Sequence, residues 1–259
     1  MIAIVIPTKN ESGRLILQLK NLLTLASPYP IYVILNGSTD NTFEEVKDLQ
    51  GISIYSYQQA LGYDVPRAVG AYHAYQNGAT GVIFIDGDMI GNINSNLLEI
   101  AHHLQNGTDL ALTNCYPYVA KRNQLVRETI HFRLMLNKEL GLYSKIGIAS
   151  PSHGLVGISK NLMNTIPLWS LAIPPVSLAM AKKANLKIKV ATSISHYDLG
   201  SKDRHYTHAK KIAHTIMGDC LEARCINFSI PRSRSYNGYT YLGYHPLRRF
   251  DLLTKVTTS

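Results

Sequence analysis

The chain has 259 residues, 46% of them hydrophobic and 17% charged, a globular composition that excludes intrinsic disorder. Its length suits one large domain with a substantial core, and no apolar run approaches the roughly 20 residues of a membrane span. A formal charge of +9 favours an anionic partner, whether a phosphorylated substrate, an anionic lipid surface or nucleic acid, with a merely solvated basic face as the alternative.

The basic residues crowd the region after Lys182, through Lys187, Lys189, Lys210-Lys211, Arg232, Arg234, Arg248-Arg249 and Lys255. No nucleic-acid-binding motif accompanies them, so nucleic acid is not expected as a partner. Cys115, Cys220 and Cys225 make an odd set without metal-ligand spacing, which points to reduced thiols and a cytoplasmic protein. The opening Met1-Ile2-Ala3-Ile4-Val5-Ile6 is too short for a secretory leader and carries no basic residue; it reads as a first core strand.

In chain order, residues 2–6 read as strand, 14–25 as helix, 32–35 as strand, 41–49 as helix and 52–57 as strand. A helix over 66–76 follows, with Pro66 in its first turn. Then come a strand at 82–85, a helix at 97–105 and a strand at 109–113. Such alternation predicts an α/β fold with a mostly parallel central sheet flanked by helices. The second half is less regular: helix 126–140, a short strand 154–158, helix 177–184, strand 187–194, a long polar helix 202–223, and a Tyr- and Arg-rich tail. No repeat or linker interrupts it, so residues 1–259 are expected to form one domain. Its parts would be a donor-binding half (1–115), an acceptor half (116–225) and a basic tail (226–259).

Ligands of parallel sheets collect at the carboxyl ends of the strands, and the polar signals fall at those ends. Asp86-Gly87-Asp88 follows the apolar run Gly81-Val82-Ile83-Phe84-Ile85. Two carboxylates one residue apart at a buried strand's end call for a cation to neutralise them. The competing reading is an ordinary solvated Asp-Gly turn. After the first strand comes Pro7-Thr8-Lys9-Asn10-Glu11. After the second comes Asn36-Gly37-Ser38-Thr39-Asp40-Asn41-Thr42, and after the third Gly62, then Arg67-Ala68-Val69-Gly70.

Those four motifs, in that order, resemble the nucleotide-sugar half of family 2 glycosyltransferases and their relatives with the GT-A fold. The resemblance is close over the first 115 or so residues and loose beyond. It implies a metal-dependent transfer from a nucleotide-diphosphate sugar, UDP-linked above all. Asp86, Asp88 and Arg67 would be the catalytic groups. Pro7, Thr8, Glu11, Asn36, Gly62, Arg67, Asp86, Gly87 and Asp88 would bind the donor. Mn²⁺ or Mg²⁺, suited to hard oxygen ligands, would offset charge gathering on the leaving diphosphate. Gly87 would leave room for ribose and diphosphate, and Arg67 would meet a phosphate oxygen. Asn36 stands where the family often has an aspartate reading uracil; its amide can both donate to and accept from a base edge. Glu11 and Asp40 have a simpler alternative, capping the helices that follow.

Inverting members usually place an acidic pair before a late helix, and one of its carboxylates deprotonates the acceptor. Here no Asp or Glu occurs between Glu139 and Asp198, and the matching stretch reads Ile173-Pro174-Pro175-Val176-Ser177-Leu178. A retaining mechanism, an acceptor already anionic, or a base supplied elsewhere would each account for that. Tyr197-Asp198-Leu199-Gly200 and the basic residues after it resemble a segment of retaining GT-A enzymes such as the glucosyl-3-phosphoglycerate and mannosylglycerate synthases. There a histidine is a third metal ligand, which makes His196 and His205 the candidates. Ser150-Pro151-Ser152-His153-Gly154 is similar to their acceptor loop, so His153 and Gly154, with Arg204, are expected at the acceptor. The acceptor would be a phosphorylated small molecule or a lipid phosphate. Arg232, Arg234, Arg248 and Arg249 are further candidates to meet an anionic acceptor; in the second case they could instead dock the enzyme peripherally on an anionic membrane. The rival functions are a sugar-nucleotide-forming nucleotidyltransferase, which would normally show a Gly-rich loop after the first strand, and a nucleotide-binding relic of the fold.

Overall fold

A computed structural model describes residues 1–25, 29–118, 123–201 and 205–258. Its centre is a seven-stranded sheet in the order β3-β2-β1-β4-β6-β5-β7. The strands are β1 (Ile2–Thr8), β2 (Ile31–Asn36), β3 (Ile52–Tyr57), β4 (Gly81–Phe84), β5 (Leu110–Asn114), β6 (Val156–Ser159) and β7 (Ile188–Ser193). All neighbours pair in parallel except β6, which runs antiparallel to both β4 and β5.

Side chains alternate across a strand, and β1 shows how this builds two cores. Ile2, Ile4 and Ile6 face one layer of helices: α1 (Leu15–Leu23), α2 (Thr42–Val46) and α4 (Asn94–Gln105). Ala3 and Val5 face the other: α3 (Val65–Gln76), α5 (Gln124–Glu139), α8 (Pro174–Lys183) and α9 (Tyr206–Phe228). Gly70 of α3 is required by this packing, since a Cβ there would lie 2.3 Å from Val5 Cγ1. The short helices α6 (Tyr143–Ile146) and α7 (Lys160–Thr165) complete the second half. Helix α8 starts earlier than its apolar pattern suggests because Pro174 and Pro175 occupy its first positions, where a missing N–H costs nothing.

The expected long polar helix is α9, and it is not a solvated one. Residues 215–223 are buried, with Asp219 and Glu222 among them; the predicted start at residue 202 lies outside the described residues. The tail wraps α9. A hairpin of β8 (Ser235–Tyr236) and β9 (Tyr239–Thr240) turns at Asn237-Gly238, both at positive φ. Helix α10 (Phe250–Thr258) then packs on α3. No helix among the described residues is long and apolar enough to cross a membrane.

Candidate active site

The Asp86-Gly87-Asp88 turn closes with Met89 N–H donating to Asp86 O at 3.1 Å. Helix α1 grips it from behind. Buried Gln18 donates to Asp86 O and Met89 O, both at 2.8 Å, and Arg14 donates to Asp88 O at 2.7 Å and to Gly200 O. With their main-chain oxygens held, Asp86 and Asp88 line a cleft of about 970 Å³ at the carboxyl ends of the parallel strands. All nine residues expected at the donor line it, as do His153, Gly154 and His196. His205 does not, and Arg204 lies outside the described residues.

Several of these residues also make contacts within the protein. Gly87 makes room for Thr8: a Cβ there would lie 2.2 Å from Thr8 Oγ1. Asn36 spends its amide on the loop after β3, donating to Gly62 O at 2.9 Å and accepting from Leu61 N–H at 2.6 Å. Gly62, at φ +90°, yields to the tail, since a Cβ would lie 1.9 Å from Leu247 O. Arg67 is buried, with Nη2 on Asp86 Oδ1 at 2.8 Å, Nη1 on Pro151 O at 3.0 Å and Nε 3.5 Å from Asp64 Oδ1. Its guanidinium is thus tied to Asp86 at the wall of the cleft. The carbonyl oxygen of Glu11 accepts from the amides of Arg14 and Leu15 at the start of α1. Asp40 accepts from the amides of Thr42 and Ser12, both at 3.1 Å. Burial raises its pKa, but these hydrogen bonds prevail and hold it below the usual carboxylate value.

The loop after β7 closes on the same turn. Gly91 N–H donates to Leu199 O at 3.0 Å, and a Cβ on Gly91 would lie 1.9 Å from Asp198 O. This contact brings His196 into the field of Asp86 and Asp88. Burial, then Arg133, lower its pKa while the two carboxylates oppose them, so the imidazole is neutral at pH 7, the form that ligates a metal. His205 instead caps α9, its Nδ1 accepting from Thr207 N–H at 3.4 Å.

Two carboxylates and an imidazole on one cleft are a donor set that fits Mn²⁺ or Mg²⁺. Among the described residues the one trio whose ligand atoms lie within 4.8 Å of one another is elsewhere: Asp219, Glu222 and His245. That trio is already filled by guanidinium groups. Asp219 is paired with Arg234 and Arg248, and Glu222 with Arg232 and Arg234, at 2.6–2.7 Å. The tail arginines therefore do not await an anion. Arg248 also reaches Asp64 at 3.2 Å, Arg232 stacks 4.7 Å over Trp169, and Arg249 pairs with Asp251 at 2.6 Å. Ser177, in the place of the family's acidic pair, is buried and donates to Pro174 O at 2.7 Å.

Two residues of the site were not anticipated. Asp64 sits at φ +61° between Arg67 and Arg248; its signal is the i,i+3 spacing to Arg67 across Val65-Pro66. Arg133 lies on the buried face of α5 with Thr129, Leu136 and Asn137; its signal is a cation on an otherwise core-facing stripe. It donates to Nε2 of His153 at 2.8 Å.

His153 is 4% exposed, and burial, then Arg133, hold its pKa well below the ordinary 6.5. The unfolded chain takes up this proton near pH 6.5 and the folded chain does not, so the folded state loses stability as pH falls below that value. Unfolding by denaturant at pH 7.5 and 5.5 should show His153 contributing a loss of about 1.4 kcal/mol per pH unit below 6.5, and His153→Asn should remove that share.

Residues 3–166 match the glycosyl transferase family 2 model. The structure is similar to that of glucosyl-3-phosphoglycerate synthase from Mycobacterium tuberculosis solved with Mn²⁺, UDP-glucose and phosphoglyceric acid. The TM-score is 0.64 at 19% identity, over 90% of this chain and 81% of that one. The same enzyme with Mn²⁺, UDP-glucose and glycerol 3-phosphate gives 0.65 at 19% identity, over 90% and 82%. A further mycobacterial protein gives 0.65 at 17% identity, over 93% and 82%. No curated protein matches the chain by sequence.

Proposed function

We propose that this chain, which belongs to glycosyl transferase family 2 and has the GT-A fold, transfers a sugar from a UDP-linked donor to a phosphorylated small-molecule acceptor. The observation that carries this reading is the Asp86/Asp88 turn, presented to a cleft that His196 enters from the loop after β7. Asp86, Asp88 and His196 would hold the divalent cation. When bound it supplies Lewis-acid stabilisation of the leaving diphosphate. Arg67 fixes Asp86, while Gln18 and Arg14 fix the turn. The similar Mycobacterium tuberculosis enzyme has been solved with Mn²⁺, UDP-glucose and a phosphorylated acceptor, which supports the same substrate classes here.

Among the described residues the carboxylates lining the cleft are Glu11, Asp64, Asp86 and Asp88, all on the donor half. An acceptor hydroxyl thus meets, among the described residues, no carboxylate base from the acceptor half. The departing diphosphate is then the nearest base, which favours transfer with retention on one face of the sugar. Titration calorimetry with UDP, with and without Mn²⁺, tests the reading, together with NMR of the product's anomeric centre. His196→Ala should raise the Mn²⁺ concentration needed for half-maximal UDP binding by about 10–100-fold, whereas His205→Ala should leave it unchanged. UDP affinity that is the same in EDTA would overturn the assignment.

A further inference from the structure

Four arginines are buried among the described residues, and three of them, Arg67, Arg234 and Arg248, pair with carboxylates. Arg133, only 2% exposed, does not. Its Nη1 donates to His153 Nε2 at 2.8 Å and to Tyr116 Oη at 3.2 Å, and its Nη2 to Ser152 Oγ at 3.4 Å. The guanidinium carbon lies 5.9 Å from the Tyr116 ring centroid. Every partner is neutral, His153 included since its Nε2 accepts from the guanidinium, and Arg133 Nε is buried with no partner at all.

A desolvated cation without a counter-charge is costly unless something supplies the negative charge. Arg133 lines the cleft with Tyr116, Ser152 and His153. His153 adds a second clue. Its Nε2 accepts from Arg133, so its proton is on Nδ1, and that buried donor is also without a partner. The His153 and His196 rings are 5.4 Å apart, which places both donors on the wall next to the candidate metal histidine. Arg133 and His153 come from α5 and the 150–154 loop, whereas the expected donor residues come from the ends of β1 to β4 and from α3.

We propose that Arg133 and His153 form a seat for one anionic group, a carboxylate or phosphate carried by the acceptor, and so select a charged acceptor over a neutral sugar. This rests on the glycosyltransferase reading, because only there does the cleft have an acceptor side. Arg133 binds the anion through charge-assisted hydrogen bonds, with Nδ1–H of His153 as a neutral second donor.

The test compares wild type, Arg133→Met and Arg133→Lys by calorimetry, with inorganic phosphate and 3-phosphoglycerate as probes and UDP with Mn²⁺ as the donor-side control. Arg133→Met should weaken both anions by about 10–100-fold, with UDP affinity unchanged. Arg133→Lys keeps the charge but not the fork and should recover part of the loss. A merely structural arginine would instead reveal itself in stability. Here Arg133→Met, which removes an uncompensated charge, should melt no more than about 4 °C below wild type. Anion affinity unaffected by Arg133→Met, no anion binding to wild type, or an equal loss of UDP affinity would each overturn the proposal; the last would assign Arg133 to the donor diphosphate. Anion binding that depends on Arg133 in a protein that fails to bind UDP would leave the seat standing and reject the donor reading.

Discussion

Asp88→Ala should reduce sugar transfer by at least about a thousandfold, equivalent to roughly 4 kcal/mol of transition-state stabilisation, while the protein still folds. The turn that carries Asp88 is secured through main-chain oxygens by Gln18 and Arg14, so removing the side chain leaves the scaffold intact. What is lost is one of two carboxylates available to a cation at the leaving diphosphate. Circular dichroism should be unchanged, and UDP affinity should no longer respond to Mn²⁺. Turnover in Asp88→Ala within tenfold of wild type would show that the two carboxylates only terminate a strand.

Arg248→Ala should be the most damaging single truncation for stability. The Arg248 side chain is fully buried and contacts both oxygens of Asp219 at 2.7 Å and Asp64 at 3.2 Å. Removing it leaves buried Asp219 with Arg234 alone and Asp64 with Arg67 alone, a loss that costs about 3 kcal/mol, and on the order of 10 °C in melting temperature. The damage should extend to catalysis, because Asp64 is also Arg67's partner and Arg67 holds Asp86. Arg249→Ala is the matched control. Its pair with Asp251 is solvent-accessible and should contribute less than about 1 kcal/mol. Equal melting temperatures for the two variants would refute this account.

The donor half was legible because its information is local. Strand β3 and the end of α3 fall where apolar pattern and polar boundary place them, and the polar motifs mark the strand ends that the cleft occupies. The direction of β6 was not legible: a few apolar residues say that a strand is buried, not which way it runs. Nor did a charge count reveal partners. Arg232, Arg234 and Arg248 look like a basic surface until Asp219 and Glu222, three apart on α9, meet them across the fold. The hairpin at Asn237-Gly238 did have a local signal, a turn dipeptide between short β-prone runs, and so did α10, in the spacing of Phe250, Leu253 and Val256. The roles of Asn36 and Gly87 could not be read locally, since each is set by a neighbour distant in sequence: the loop at 61–62 and Thr8.

The ionic chain from Asp86 through Arg67, Asp64 and Arg248 to Asp219 joins early residues to late ones. On the ribosome, where domains are made from the N-terminal side, β1 to β4 emerge with all their motifs long before Arg248 does. Until then Gly62 lacks the backbone of Leu247 against which it packs, and Asp64 has only one of its two cations. A nascent or prematurely stopped chain can thus pair its first strands yet hold no finished donor pocket. The wall of the cleft that Gly62 and Asp64 form is finished only once residues 247 and 248 have been made.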